Sequence, residues 1–107
     1  MSGLSIPPET PNLYAQDGQG GDAIVYAKYF TPWSGWTWYM TEYDPQERTG
    51  FGLVVGLHTE LGYFSLDEME EISGPGGLKI ERDAYFEPIP LRAVDECPAW
   101  LRNKRSK

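Results

Sequence analysis

His58, Ser65, Glu60 and Asp67 fall within ten residues of one another and are the types a nucleophilic hydrolase uses. A serine nucleophile needs a histidine to take its proton and a carboxylate to orient that histidine. The nucleophile-elbow pattern around a serine is absent, however. Ser65 instead opens Ser65-Leu66-Asp67-Glu68, a capping-box pattern. In such a box the hydroxyl accepts from the Glu68 amide and the Glu68 carboxylate reaches back to the Ser65 amide. Ser65 is therefore assigned to a helix cap, and no residue is assigned to catalysis. Gly50 to Gly56 contains a G-x-G, but its spacing is wrong for a dinucleotide loop and it opens a strand rather than a helix. One His and one Cys cannot build a zinc site, so neither metal nor cofactor is expected. Cys97 follows Asp95 and Glu96, with no adjacent base to activate it, and reads as a structural thiol.

The carboxylates are the more informative cluster. Asp67, Glu68, Glu70 and Glu71 crowd one short helix. A glycosidase needs two carboxylates, but it also needs an apolar pocket to raise one pKa, and this face is polar. Asp67 and Glu68 sit in the first turn, where negative charge suits the helix macrodipole. Glu70 and Glu71 lie towards the C-terminus, where it does not, and Asp67–Glu71 is a like-charge i,i+4 pair. Local stability thus accounts for half of the cluster. Two readings stand: a solvated face, or an acidic docking surface that Glu60 extends. Trp33, in a turn, is the second candidate contact. A tryptophan platform for bases would need a positive surround, and Lys28 and Arg48 are the only bases in residues 1–78. Direct nucleic-acid binding is not expected.

Charge supports the same choice. The formal net charge is -7, and Arg102, Lys104, Arg105 and Lys107 all lie in the last six residues, so the body is more acidic still. Such a body repels phosphates and attracts basic protein surfaces. No apolar run approaches bilayer-spanning length, and the first residues lack a basic n-region and an apolar h-region. No membrane association and a cytoplasmic location are expected.

The elements that must position these residues follow from periodicity. At 107 residues one domain is expected, with a real core. Most aromatic residues fall between Ala23 and Ser65. Ala23–Phe30 reads as a strand that Pro32 ends. Trp36, Trp38 and Met40 then alternate with Thr37, Tyr39, Thr41 and Tyr43, which places the two sets on opposite faces. The second set makes an amphipathic, wet face. Asp44–Gly50 is a hairpin loop, Phe51–His58 the next strand, and Leu61–Phe64 a short fourth. Gly52 and Gly56 leave room for rings of the neighbouring strand. A helix over 66–73 presents Leu66, Met69 and Ile72 to the sheet. Leu78–Asp83 is a further short strand or an extended loop. The fold class is thus α+β: a mainly antiparallel sheet of four or five strands with one short helix packed on one face. Residues 1–22, rich in Pro, Gly, Gln and Ser, read as a flexible arm; the alternative is that Leu13 and Tyr14 dock as a strand or a plug. The single domain spans 23–101, and 102–107 reads as a basic disordered tail.

Three strings carry a resemblance. Phe30-Thr31-Pro32-Trp33-Ser34-Gly35-Trp36-Thr37-Trp38-Tyr39 is the first, and Phe51-Gly52-Leu53-Val54-Val55-Gly56 the second. Glu60-Leu61-Gly62-Tyr63-Phe64-Ser65-Leu66 is the third, followed by Glu81-Arg82-Asp83, Phe86 and Pro88. Over residues 28–90 the chain resembles a family of small domains of unknown function carried by bacterial plasmids, phages and integrative elements. The resemblance implies a mobile-element setting and brings no functional residues. In that setting three functions stand. The first is a non-enzymatic interaction protein, an anti-defence inhibitor whose acidic patch (Glu60, Asp67, Glu68, Glu70, Glu71, with Trp33) blocks the basic nucleic-acid-binding surface of a host nuclease or CRISPR complex. The second is an accessory of plasmid transfer or replication that binds through the aromatic sheet face. The third is an enzyme of unknown type.

Overall fold

Alternating large side chains build the sheet on which everything else is hung. The computed structural model describes residues 4–105. Its strands are β1 (Ile24–Val25), β2 (Ala27–Phe30), β3 (Thr37–Asp44), β4 (Thr49–Val55), β5 (Thr59–Ser65), β6 (Glu81–Arg82) and β7 (Ile89–Pro90). Five of them form one sheet in the order β5-β4-β3-β2-β6, every neighbour antiparallel. Short hairpin loops make that pairing the natural outcome. β1 and β7 form a separate antiparallel pair. Helices α1 (Leu66–Glu71) and α2 (Ala99–Arg102) complete the α+β fold that the periodicity predicts.

Both faces of the sheet are covered, which corrects the expectation of a wet face. On one side Ala27, Tyr29, Trp38, Met40 and Phe64 pack against Leu66 and Met69 of α1. On the other, Tyr39 and Leu53 pack against Val25, Leu91, Val94, Cys97 and Leu101. The β1–β7 pair brings residues 89–102 back over this second face. Chain remote in sequence thus supplies the apolar cover that strand alternation alone does not reveal.

A β-bulge corrects the assignment of faces along β3. Met40 pairs with Gly52, but Glu42 pairs with Phe51, so the register slips by one residue at Thr41. A bulge of this kind reverses which side chains point where beyond it. Tyr43 therefore joins Trp38 and Met40, and Glu42 turns to the opposite face. Of the two glycines expected to lie under rings, Gly56 does, since a Cβ there would meet the Trp36 ring at 2.3 Å; Gly52 does not, because the Tyr39 backbone carbonyl rather than a ring fills the space beside it.

The Ser65 half of the expected capping box forms at the start of α1. The Ser65 hydroxyl accepts from the Glu68 amide at 3.1 Å. The helix ends at Glu71 rather than Ser73, because Ile72 is already extended (φ -74°, ψ 132°), and Ile72 is exposed instead of facing the sheet. Ser65→Ala is expected to cost about 1 kcal/mol in urea unfolding. An unchanged midpoint would show that the hydroxyl contributes nothing to the helix start.

The described segments towards both ends, 4–22 and 102–104, are docked. Residues 4–22 run across the domain: the Leu4 amide donates to Glu70, the Tyr29 hydroxyl to the Ser5 carbonyl, and the Tyr43 amide to the Pro11 carbonyl. Arg102 lies in α2 and donates to the carbonyls of Arg92, Val94, Asp95 and Cys97. The Lys104 carbonyl accepts from Gly21 at 2.9 Å. Composition read these segments as a flexible arm and a disordered tail; instead Gly20–Asp22 forms a 3-10 turn, Arg102 ends α2, and both segments are hydrogen-bonded to the domain. Backbone amides and carbonyls find side-chain partners that local sequence does not show. The first three residues of the expected arm, and Ser106 and Lys107 of the expected tail, lie outside the described residues.

Candidate functional site

The acidic helix is organised by one arginine. Arg48 ends the β3–β4 hairpin in the left-handed region (φ 51°). From there its Nε donates to Asp67 Oδ1 at 2.7 Å and its Nη2 to Glu70 Oε2. Burial lowers the guanidinium pKa, but the Asp67 hydrogen bond and the Glu70 charge outweigh it and leave it raised. Glu70 also accepts the Leu4 amide at 2.7 Å. Glu70, which helix stability left unexplained, thus ties the hairpin and the N-terminal segment to α1. Asp67 and Glu70 are spoken for, and the patch narrows to Glu60, Glu68 and Glu71, all exposed.

These three sit on the same side of the sheet as the tryptophans. Glu60 pairs with Val54, which packs on the Trp38 face, as does α1. Trp33 is half-buried against that core, its ring 2.3 Å from where a Cβ on Gly74 would stand. Trp36 is 39% exposed and stacks on Trp38, with ring centroids 6.0 Å apart. The site residues proposed from sequence therefore share one side of the molecule.

The hydrolase-type residues are not brought together. His58 is exposed in the β4–β5 turn, and Ser65 ends β5. A seven-residue strand separates them by about 20 Å. Cys97 is buried; burial raises its pKa, against the charges of Arg102 and Arg92. Among the described residues no group of three or more His, Cys, Asp or Glu is placed to hold a metal ion. No helix among them is long and apolar enough to cross a membrane.

The opposite face carries a site that the sequence reading missed. The bulge aims Glu42 into it, 4% exposed. Its Oε1 accepts the Tyr14 amide at 2.7 Å and its Oε2 the Gln16 amide at 2.8 Å. Tyr14 is left-handed (φ 74°), which curls these two amides round one carboxylate as a small anion nest. The Gln16 side chain then bridges the Ile24 amide and the carbonyls of Ile24 and Thr41. Above this network a cleft of about 350 Å³ opens between the N-terminal segment, β4, β5 and α2. Tyr14, Phe51, Tyr63 and Trp100 line it. A lone carboxylate inside an aromatic strand was the signal that pointed here. The Tyr39 hydroxyl, on the same sheet face, donates to Glu96; burial first, and then this bond, raises its pKa.

No curated protein and no solved structure matches the chain. The model of the family DUF2958, described as a protein of unknown function, matches residues 10–94. That span takes in the nest residues Tyr14 and Gln16, the whole five-stranded sheet and α1. It stops short of α2 and Trp100. The chain therefore belongs to the DUF2958 family of proteins of unknown function.

Proposed function

We propose that this chain is a small acidic interaction protein of a mobile genetic element, which acts without catalysis by occupying a basic surface of a host nucleic-acid-processing protein. What supports the reading is the direction in which its charges point. Arg48, Arg82, Arg92 and Arg102 are half-buried and spend their guanidinium groups on intramolecular acceptors. Among the described residues the only exposed bases are Lys79, Lys104 and Arg105, whereas most carboxylates are exposed. Turning bases inward and acids outward makes the surface more negative than the composition. Such a surface steers towards the basic channels that bind nucleic acid. The mobile-element setting and the anti-defence role, against a nuclease or CRISPR complex, rest on the sequence resemblance and on this charge.

The test uses the three free carboxylates and spares the Arg48 pair. A partner is captured with the wild-type chain and purified. Its affinity is then measured against wild type and against the Glu60→Lys, Glu68→Lys, Glu71→Lys triple variant, each at two salt concentrations. The variant is expected to bind at least about tenfold more weakly and to lose most of the salt dependence. Equal affinity, with no salt dependence in either protein, would refute the reading. The second reading, an accessory of plasmid transfer or replication docking through the aromatic face, is favoured by the exposure of Trp36. It is the one to adopt if Trp36→Ala abolishes binding and the charge reversals do not.

A further inference from the structure

The cleft above Glu42 lies on the opposite side of the sheet from the acidic patch. Three of its rings are strongly exposed: Tyr14 by 67%, Trp100 by 57% and Tyr63 by 56%. Single exposed rings are ordinary, but several converging on one concavity mark a contact site. Phe51 and Tyr63 are in contact, with centroids 4.8 Å apart and planes tilted by 57°. The Tyr14 hydroxyl, more than burial, raises the Tyr63 pKa. Phe51 and Tyr63 thus form one packed wall of the cleft. Its volume of about 350 Å³ suits one side chain or small group.

The electrostatics select what enters. Ring faces are negative, and the lining adds the carboxylates of Asp17 and Glu42 against the single base Lys104. An anionic ligand is disfavoured, and a nucleobase would lack the positive surround that stacking sites use. A cation is favoured by the rings and by the acids together. Each Glu42 oxygen takes one backbone amide, which leaves acceptor capacity on both. A quaternary ammonium has no N–H to offer them. A lysine ammonium has donors but no flat face for the rings. A guanidinium has both: a plane that stacks and donors in a fork.

We infer that this cleft binds the guanidinium group of an arginine side chain on a basic partner protein, an assignment that rests on the acidic-interaction reading and deepens it. Tyr14 and Trp100 then come from the two ends of the chain to complete a receptor whose floor is the sheet. Docking of residues 4–22 and α2 is what assembles it.

The probe is Nα-acetyl-arginine methylamide, titrated into the full chain and followed by NMR, with the neutral citrulline analogue as control. Saturable shifts are expected at Tyr14, Phe51, Tyr63 and Trp100. The citrulline compound should bind about tenfold more weakly, and Trp100→Ala and Tyr63→Ala should weaken the arginine probe by a similar factor. Both side chains are exposed, so both variants are expected to melt with the wild type. Equal binding of citrulline, shifts confined to another surface, shifts that survive Trp100→Ala, or no saturable shift at all would overturn the assignment. The same variants are then tested against the captured partner. If the charge-reversed acidic face loses the partner while Trp100→Ala keeps it, the cleft assignment fails and the acidic-interaction reading stands. If the arginine probe seats in the cleft and the partner ignores the acidic face, that reading fails and the cleft stands.

Discussion

Glu42→Ala is expected to lower stability by about 3 kcal/mol and to release the N-terminal segment. Glu42 is 4% exposed, and its carboxylate accepts the Tyr14 and Gln16 amides at 2.7 and 2.8 Å. Hydrogen bonds to a charged acceptor contribute about 1.5–3 kcal/mol each. The full sum is not expected, because the freed amides turn to water once the segment lifts. The lift has its own signature. Amide exchange at Tyr14, Gln16 and Ile24 should quicken well before global unfolding, while exchange in β3 and β4 tracks the global value. Glu42→Gln keeps one carbonyl acceptor and is expected to fall between the two. If exchange at 14 and 16 is unchanged in Glu42→Ala, the carboxylate does not hold the segment.

The larger effect is expected at Gly52. A Cβ there would stand 1.8 Å from the Tyr39 carbonyl oxygen and 3.0 Å from the Met40 Cα. Both are backbone atoms of the central strand, at the bulge, so no side chain can rotate away. Relief requires β3 and β4 to separate or the bulge to move, and moving it would turn Glu42 and Tyr43 to the wrong faces. Gly52→Ala is therefore expected to cost about 3 kcal/mol or more, at or above the upper end of ordinary overpacking. For a domain of this size that is a fall in Tm on the order of 15 °C. Gly62 is the internal control. It is the cross-strand partner of Gly52, and a Cβ there meets nothing within 4 Å. Gly62→Ala is expected to be close to neutral. Two variants melting alike would mean that the β3–β4 approach is looser than described.

The sequence by itself determined the elements whose signals are local. Period-2 alternation is set by backbone geometry, so the strands from Ala27 to Ser65 were legible as strands; the break at Tyr26, which splits the expected Ala23–Phe30 strand between two sheets, was not. Their short loops then fixed antiparallel neighbours. The cap at Ser65 was legible because donor and acceptor lie three residues apart. The fit of Gly56 under a ring was legible because a missing Cβ beside bulky neighbours has few other uses. Tertiary structure decided whatever depends on residues far apart in the chain. The bulge at Thr41 is one inserted position in an otherwise regular alternation, and only the partner strand reveals it. Without it Glu42 would fall on the face of Trp38 and Met40; with it Glu42 is the buried anchor of the N-terminal segment on the other face. Arg48 and Glu70 are 22 residues apart, and Leu4 and Glu70 are 66 apart, so no periodicity could show that Glu70 is a structural acid rather than part of a free patch. The aromatic cleft draws Tyr14, Phe51, Tyr63 and Trp100 from four separate segments. Each ring reads alone as an ordinary surface or core residue. Their convergence exists only once both ends of the chain have folded back onto the sheet.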